Sequence, residues 1–328
     1  MSGAKREIQA ELLPDKGAAA TSEDFFRCRP FLDAEGVTHT LRIETDAEEL
    51  LAPLIVREIP GSPERDAISP YGYPGLRPAE GRGYPRYAGT TSTSVDPAAV
   101  DFSATGLVSA FIRHTLEEPP LLAGAGERNV VQIADPELPA KQRSSDRNQI
   151  NKNRRNGYET RLVAGPETGA AERAGFLEAY EQTMRRAGAG ERYFFGASYF
   201  DRILESPATW LALALAPDGT VAAASVAARS DGFLHYYLSG SADSHLRDSP
   251  MKNVVAALVE HAAELGLPLN LGGGLSRGDR LEEFKRGFAN RERPWRTSEL
   301  VCDPAAYARL SAGHDAGGFF PAYRAPRG

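Results

Sequence analysis

Leu269-Asn270-Leu271-Gly272-Gly273-Gly274, followed by Asp279 and by Leu281 to Phe288 with Phe284-Lys285 at its centre, is the stretch on which the fold of this chain turns. A short apolar run into three glycines describes a buried strand and a turn. Leu281, Phe284 and Phe288, spaced i, i+3 and i+7, then describe a helix that buries one face and holds Lys285 at its edge. Only six of the 38 basic residues are lysines, namely Lys5, Lys16, Lys141, Lys152, Lys252 and Lys285. A lysine at this point is therefore not compositional noise.

The second half of the chain reads element by element around that stretch. Tyr158 to Val163 has the composition of a short strand, Ala171 to Arg186 of a helix and Ser198 to Leu204 of a shorter one. Trp210 to Leu215, Val221 to Ala228 and Phe233 to Leu238 are strands of a meander, turned at Pro217-Asp218-Gly219 and at Ser230-Asp231-Gly232. Ser249 as N-cap and Pro250 at the first helical position open a helix whose apolar stripe is Val254, Val255, Leu258, Val259, Ala262 and Leu265, stopped by Gly266. A strand over Leu267 to Leu271, a helix from about Arg280 to Phe288 and a strand around Trp295 to Val301 complete the order.

The first half is less regular. Residues 1–22 are small and polar and read as a mobile tail. Between Asp66 and Tyr87, the prolines and glycines Pro70, Gly72, Pro74, Gly75, Pro78, Gly81, Gly83 and Pro85 forbid a long helix or a central strand. A basic segment from Lys141 to Arg155 reads as a helix with Arg143, Arg147 and Arg154 on one stripe, ended by Gly157. The domain junction is placed there, giving domains over 23–157 and 158–328.

With 328 residues, 41% hydrophobic and 25% charged, the composition is that of a globular protein long enough for two domains. Apolar runs fall short of the roughly 18 residues of a membrane helix, and residues 1–22 lack a signal-peptide core. A cytoplasmic protein without membrane insertion is expected. The net charge of −6 argues against broad nucleic-acid binding. No DNA partner is expected, and any RNA contact must be local. Cys28 and Cys302 lack metal-ligand spacing, so neither a disulfide nor a bound metal is expected. No GK[ST] or HExxH pattern is present, and neither cysteine has a histidine paired with it by local spacing, which favours direct transfer over a covalent intermediate.

The order strand, helix, helix, three antiparallel strands, helix, strand, helix, strand resembles the GNAT acyltransferase fold, an α/β (α+β) fold in which the fourth and fifth strands splay apart. With a first half of similar size, the whole resembles the Fem-like branch of that superfamily, which carries two such domains in tandem. The residues that carry the resemblance are Ser69-Pro70-Tyr71-Gly72-Tyr73-Pro74-Gly75, Ser109-Ala110-Phe111-Ile112-Arg113, His235-Tyr236-Tyr237-Leu238-Ser239-Gly240, Leu271-Gly272-Gly273-Gly274 and Phe284-Lys285. They span roughly residues 65 to 290. Members of the branch move amino acids from aminoacyl-tRNA onto amines, and the lysine of the Phe-Lys pair lies near the aminoacyl ester. The resemblance thus implies a role in transfer for Lys285, with Phe284 beside it.

The residues themselves are compatible with that role. Attack of an amine on an ester builds negative charge on oxygen, which a fixed cation in a dry cleft stabilises. A solvated lysine on a surface helix is the plainer alternative. Gly272, Gly273 and Gly274 fit backbone donors to an oxyanion or plain punctuation. Strand alternation groups His235 with Tyr237; if that face lines the cleft, the pair would position the acceptor, whereas a lone sheet histidine is more often structural. Tyr71 and Tyr73 fit a cover over the acceptor or loop packing. Arg113 fits a partner for an acceptor carboxylate or phosphate, or a surface charge. Arg143, Arg147 and Arg154 fit tRNA phosphate contacts or a solvated face.

GNAT members that use CoA carry a glycine-rich pyrophosphate loop between the fourth strand and the next helix. Here that interval is Ser241 to Ser249, with Asp243 and Asp248 in it. The expected activity is therefore an aminoacyltransferase that takes an amino acid from aminoacyl-tRNA to an amine acceptor, either a small biosynthetic intermediate or a cell-wall precursor, without a cofactor. The alternatives are an acyl-CoA-dependent N-acyltransferase and a non-catalytic GNAT-like binding module.

Overall fold

The computed structural model describes residues 8–21, 24–46, 48–79, 94–116, 119–315 and 317–325. Gly81, Gly83, Pro85 and Tyr87 of the expected loop lie outside the described residues, as do residues 1–7 and 22 of the expected tail. The strands are β1 (Ile8–Leu13), β2 (His39–Glu44), β3 (Glu49–Glu58), β4 (Arg65–Ile68), β5 (Arg77–Pro78), β6 (Val100–Asp101), β7 (Leu107–Arg113), β8 (Gly126–Ala134), β9 (Glu159–Ala164), β10 (Thr209–Leu215), β11 (Val221–Ser230), β12 (Phe233–Ser241), β13 (Leu269–Gly272) and β14 (Arg291–Val301). The α-helices are α1 (Arg29–Ala34), α2 (Ser144–Arg155), α3 (Ala170–Arg186), α4 (Ala197–Ile203), α5 (Met251–Glu264), α6 (Arg280–Arg286) and α7 (Pro304–Ser311).

The chain forms two compact units, but not at the expected boundaries. One comprises residues 1–21, 35–128 and 295–328, the other residues 22–34 and 129–294. Three corrections follow, each with a physical cause. The basic helix α2 is no junction, because its inner face is bound to α5: Asp146 pairs with Lys252 at 2.9 Å, Asn153 Nδ2 donates to Asn253 Oδ1 at 2.8 Å, and Ile150 joins the aliphatic core. Residues 8–13 are not a tail. Their alternation makes β1, which pairs with β2 and buries Ala10. The C-terminal strand β14 belongs with the first unit, where Thr297 to Val301 pair with Arg113 to Ser109.

In the first unit the strand order is β6-β1-β2-β3-β4-β7-β14, with β5 on β3. β1 to β4 are antiparallel and β4 is parallel to β7. The second unit repeats the scheme with order β8-β13-β12-β11-β10-β9: β9 to β12 are antiparallel, and β12 is parallel to β13. Its aliphatic core joins α5 to the sheet through Val254, Val255, Leu258, Leu234 and Leu271. Residues 24–34 belong to this unit through Arg27, which is 2% exposed and paired with Asp231 at 2.5 Å.

Most expected elements of the second unit stand within two residues of their predicted ends. The turn Ser230-Asp231-Gly232 forms with φ of +50° at Asp231 and +75° at Gly232, the left-handed pair a tight hairpin requires. Ser249 is a correction: its φ of +48° ends the 3-10 turn of Asp243–Asp248, and α5 is capped by Pro250 without a side-chain hydrogen bond.

Candidate active site at the parting of two strands

The parallel pair β12 and β13 is joined only at Leu234↔Leu269 and His235↔Asn270. Beyond that point β12 runs on to Ser241, while β13 ends at Gly272. The strands part where β12 also bulges, since Val226 pairs with Leu238 and Ala227 with Tyr236, leaving Tyr237 without an opposite residue on β11. The last paired position is locked by side chains. Asn270 Nδ2 meets His235 Nδ1 at 3.0 Å, and Asn270 Oδ1 accepts from Gly272 N at 2.8 Å.

Lys285 stands at this parting. Its Nζ donates to the carbonyl of Gly273 at 2.6 Å and lies 6.0 Å from the centre of the Tyr236 ring. The side chain is not solvated: Lys285 is 7% exposed, whereas Leu281, expected to be buried, is 40% exposed. The inward residues of α6 are instead Glu282 and Lys285, with Phe284 half-buried against Phe288. Burial lowers the Lys285 pKa to about 8, an effect that Asp279 partly offsets.

The glycines serve close approach. At Gly272 φ is +74° and a Cβ would come within 3.2 Å of Lys285 Nζ, while at Gly273 it would come within 2.6 Å of Val130 O and Asn129 Nδ2. Asn129 Nδ2 donates to Gly274 O at 3.0 Å. Asp279 caps α6 by accepting from Glu282 N and folds the loop by accepting from Leu275 N and Ser276 N. Glu282 accepts from Gly278 N and from Arg286. Lys285 is thus held by its helix, by a glycine carbonyl and by a loop cinched on one carboxylate.

The alternation expected along β12 is present, but the face beside Lys285 is the other one. His235 packs edge-on against Phe26, with centroids 4.9 Å apart, and its Nε2 meets Ser230 O at 3.2 Å. Tyr237 contacts the Phe25 and Phe26 rings and shares a 2.9 Å hydrogen bond with the Tyr199 hydroxyl. Burial lowers the His235 pKa to about 4, leaving a neutral ring that bridges strand, turn and Asn270. Tyr236 is the residue on the Lys285 side. Its hydroxyl accepts from Ser239 Oγ at 2.6 Å. The paired tyrosines in His235-Tyr236-Tyr237 signalled it, but alternation alone cannot say which face meets a distant helix.

The remaining candidates have their own settings. In the first unit, Arg113 Nη1 donates to Ser69 O at 2.6 Å and braces the turn that carries Tyr71 and Tyr73. Tyr71 N donates to Glu35, and the Tyr73 ring meets Trp295 edge-on at 5.6 Å. In the second unit, Arg143 lies beside Glu283 at 3.8 Å, and Arg147 and Arg154 are exposed. Arg154 also lines a cavity of about 410 Å³ with Arg161, Glu260 and Glu264, which contains none of the Lys285 contacts. The interval Ser241 to Ser249 is tied to neighbouring elements. Asp243 pairs with Arg186 and its N–H donates to Gln182, while Asp248 accepts from Tyr158.

Residues 140–286 match the family described as the acetyltransferase (GNAT) domain. FemX superposes with a TM-score of 0.61 at 12% identity, covering 94% of this chain and 98% of that one. The fold is that of the GNAT acyltransferases. L-PGS from Bacillus licheniformis shares it at a TM-score of 0.53 and 14% identity, over 77% of this chain and 81% of its own. A conserved protein of unknown function from Bacteroides thetaiotaomicron VPI-5482 gives 0.50 at 12% identity, over 84% and 90%. No curated protein sequence matches the chain. β12 and β13 are the two strands that splay, and the Lys285 cluster lies beside their parting. Among the described residues, no helix is long and apolar enough to cross a membrane.

Proposed function

We propose that this chain is an aminoacyltransferase that forms an amide by direct attack of an amine on the ester of aminoacyl-tRNA. One observation carries the reading: a buried lysine lies at the parting of the two splayed strands, its ammonium anchored on the Gly273 carbonyl. A cation so shielded acts strongly on charge that develops beside it. As the amine attacks, the carbonyl oxygen becomes an oxyanion and Lys285 stabilises it. Phe284 packs with Phe288 and keeps the helix seated, a positioning role.

The donor assignment draws on the segment between β12 and α5. Asp243 and Asp248 are engaged there, as are the amide of Asp243 and that of Ser249, which donates to Leu246 O. A pyrophosphate would meet two carboxylates rather than a nest of vacant amides. The exposed Lys152, Arg154 and Arg155 of α2, with Arg147, supply a local basic face for tRNA phosphates. The acceptor is an amine on a small intermediate or a cell-wall precursor. His235 is proposed to support the site through Asn270 rather than to touch substrate.

The test is a donor comparison. Purified protein is given a panel of amines with either a charged-tRNA pool or acyl-CoA, and products are read by mass. Aminoacyl amides formed only with charged tRNA support the assignment. Acylation from acyl-CoA alone replaces it with a CoA-dependent N-acyltransferase, and ligand binding without turnover of either donor with a silent GNAT-like module.

A further inference from the structure

The hydroxyl of Tyr236 has a role that packing does not explain. A phenol has one proton and two lone pairs. Ser239 Oγ–H donates into one lone pair at 2.6 Å, so the phenol proton is not used in that contact. Ser239 lies three residues along the same strand, past the bulge, and orients the hydroxyl without consuming its proton. The ring is half-buried against the aliphatic core and lies beside the Lys285 ammonium. The site therefore presents a fixed cation and, on a tyrosine whose ring centre lies 6.0 Å from it, an oriented hydroxyl with a proton to give and a lone pair to receive one.

We infer that Tyr236 is a catalytic residue, a proton relay between the attacking nitrogen and the departing ester oxygen, and that the site is built for an oxygen-ester donor. This rests on the aminoacyl-ester reading above. The amine nitrogen attacks the carbonyl carbon, the C–N bond forms, and the carbonyl π pair moves onto the oxyanion held by Lys285. When that pair returns, the C–O bond breaks and its electrons go to the leaving oxygen. Tyr236 gives its proton to that oxygen and takes the surplus proton of the nitrogen through its second lone pair. Amide and free alcohol result, and Tyr236 and Lys285 end as they began.

The chemistry of the group suits this donor. Burial pushes the Tyr236 phenol up to about 12, the Ser239 hydrogen bond offsetting part of the rise. A phenol this weak does not ionise near neutrality and keeps its proton for a strongly basic alkoxide. A thiolate, whose thiol titrates at about 8.5, departs without one. Lys285 completes the pair, since cation and phenol stabilise different oxygens of one tetrahedral intermediate.

Steady-state rates of the full chain with charged tRNA and amine, in light and heavy water, test this. Tyr236→Phe keeps the ring and should lower kcat by on the order of 100-fold with KM unchanged, and should abolish the solvent isotope effect of the parent. Ser239→Ala, which only frees the phenol to turn, should lower kcat less and retain the isotope effect. A Tyr236→Phe rate near the parent's overturns the inference, as does a loss confined to KM or one with the isotope effect intact. Failure of the parent itself with charged tRNA would instead overturn the donor reading, and the Tyr236 role with it.

Discussion

In the proposed transfer Lys285 carries the chemistry because its surroundings make a charge both costly and useful. Replacing it with methionine should lower kcat by about ten- to a thousand-fold, on the order of 1.4 to 4 kcal/mol. The fold should survive, since the change removes a buried charge while leaving one carbonyl unpaired; a melting curve and a rate measurement on the same sample check both halves. The pH dependence has a definite sign. The oxyanion needs the ammonium, and its pKa lies near 8. The rate at saturation should fall as pH rises through about 8, and Lys285→Met should lose that limb. A profile flat to pH 10 would remove the charge from the mechanism.

At the scale of elements, the active gap depends on where β12 and β13 stop pairing. Asn270 holds that point through His235 and Gly272 N. Asn270→Ala should destabilise the chain by about 1–3 kcal/mol, the range for a buried group that loses its partner, and should lower activity beyond the loss of folded protein. An unchanged melting temperature would show that the splay is held elsewhere. Gly240→Ala should be worse, because a Cβ there would overlap the backbone of Ala179 and Tyr180 in α3.

Much of this level was legible in the sequence. The meander, the turn at Asp231-Gly232 and the glycine stop after Leu271 follow from local chemistry that acts within a few residues. The burial of Lys285 was not legible, because it is imposed by β12 and the Gly273 carbonyl, which meet α6 only after folding. The same holds for β12: alternation separated His235 and Tyr237 from Tyr236, but the segment Phe25 to Phe31, distant in sequence, decides which face is filled. Ser249 looked like an N-cap, and Pro250 with the preceding 3-10 turn overrode it.

For the whole molecule, the exchange of segments was hidden for a related reason. Strand composition shows that β14 exists, but not which strands it joins, and only tertiary pairing assigns it to β7. Each unit also carries a neutral buried histidine: burial lowers His114 in the first and His235 in the second to about 4, from 6.5. Protons then bind the unfolded chain more tightly, so stability is fully present above pH 6.5 and falls as pH drops towards 4. Urea midpoints across that range should decline, and His235→Gln should flatten the slope. A midpoint constant from pH 6.5 to 5 would contradict the neutral burial of both rings.

Recognition of the donor also belongs to this scale. Changing Arg143, Arg147 and Arg154 together to glutamine should raise the donor KM more than it alters kcat, and rising salt should do the same. The central claim, that the acyl group arrives on tRNA, is tested most directly by ribonuclease. In a coupled reaction of amino acid, ATP, synthetase, tRNA and amine, treatment with ribonuclease before the protein is added should abolish the amide product. Undiminished product after ribonuclease, with acyl-CoA alone sufficient to support it, would contradict the account.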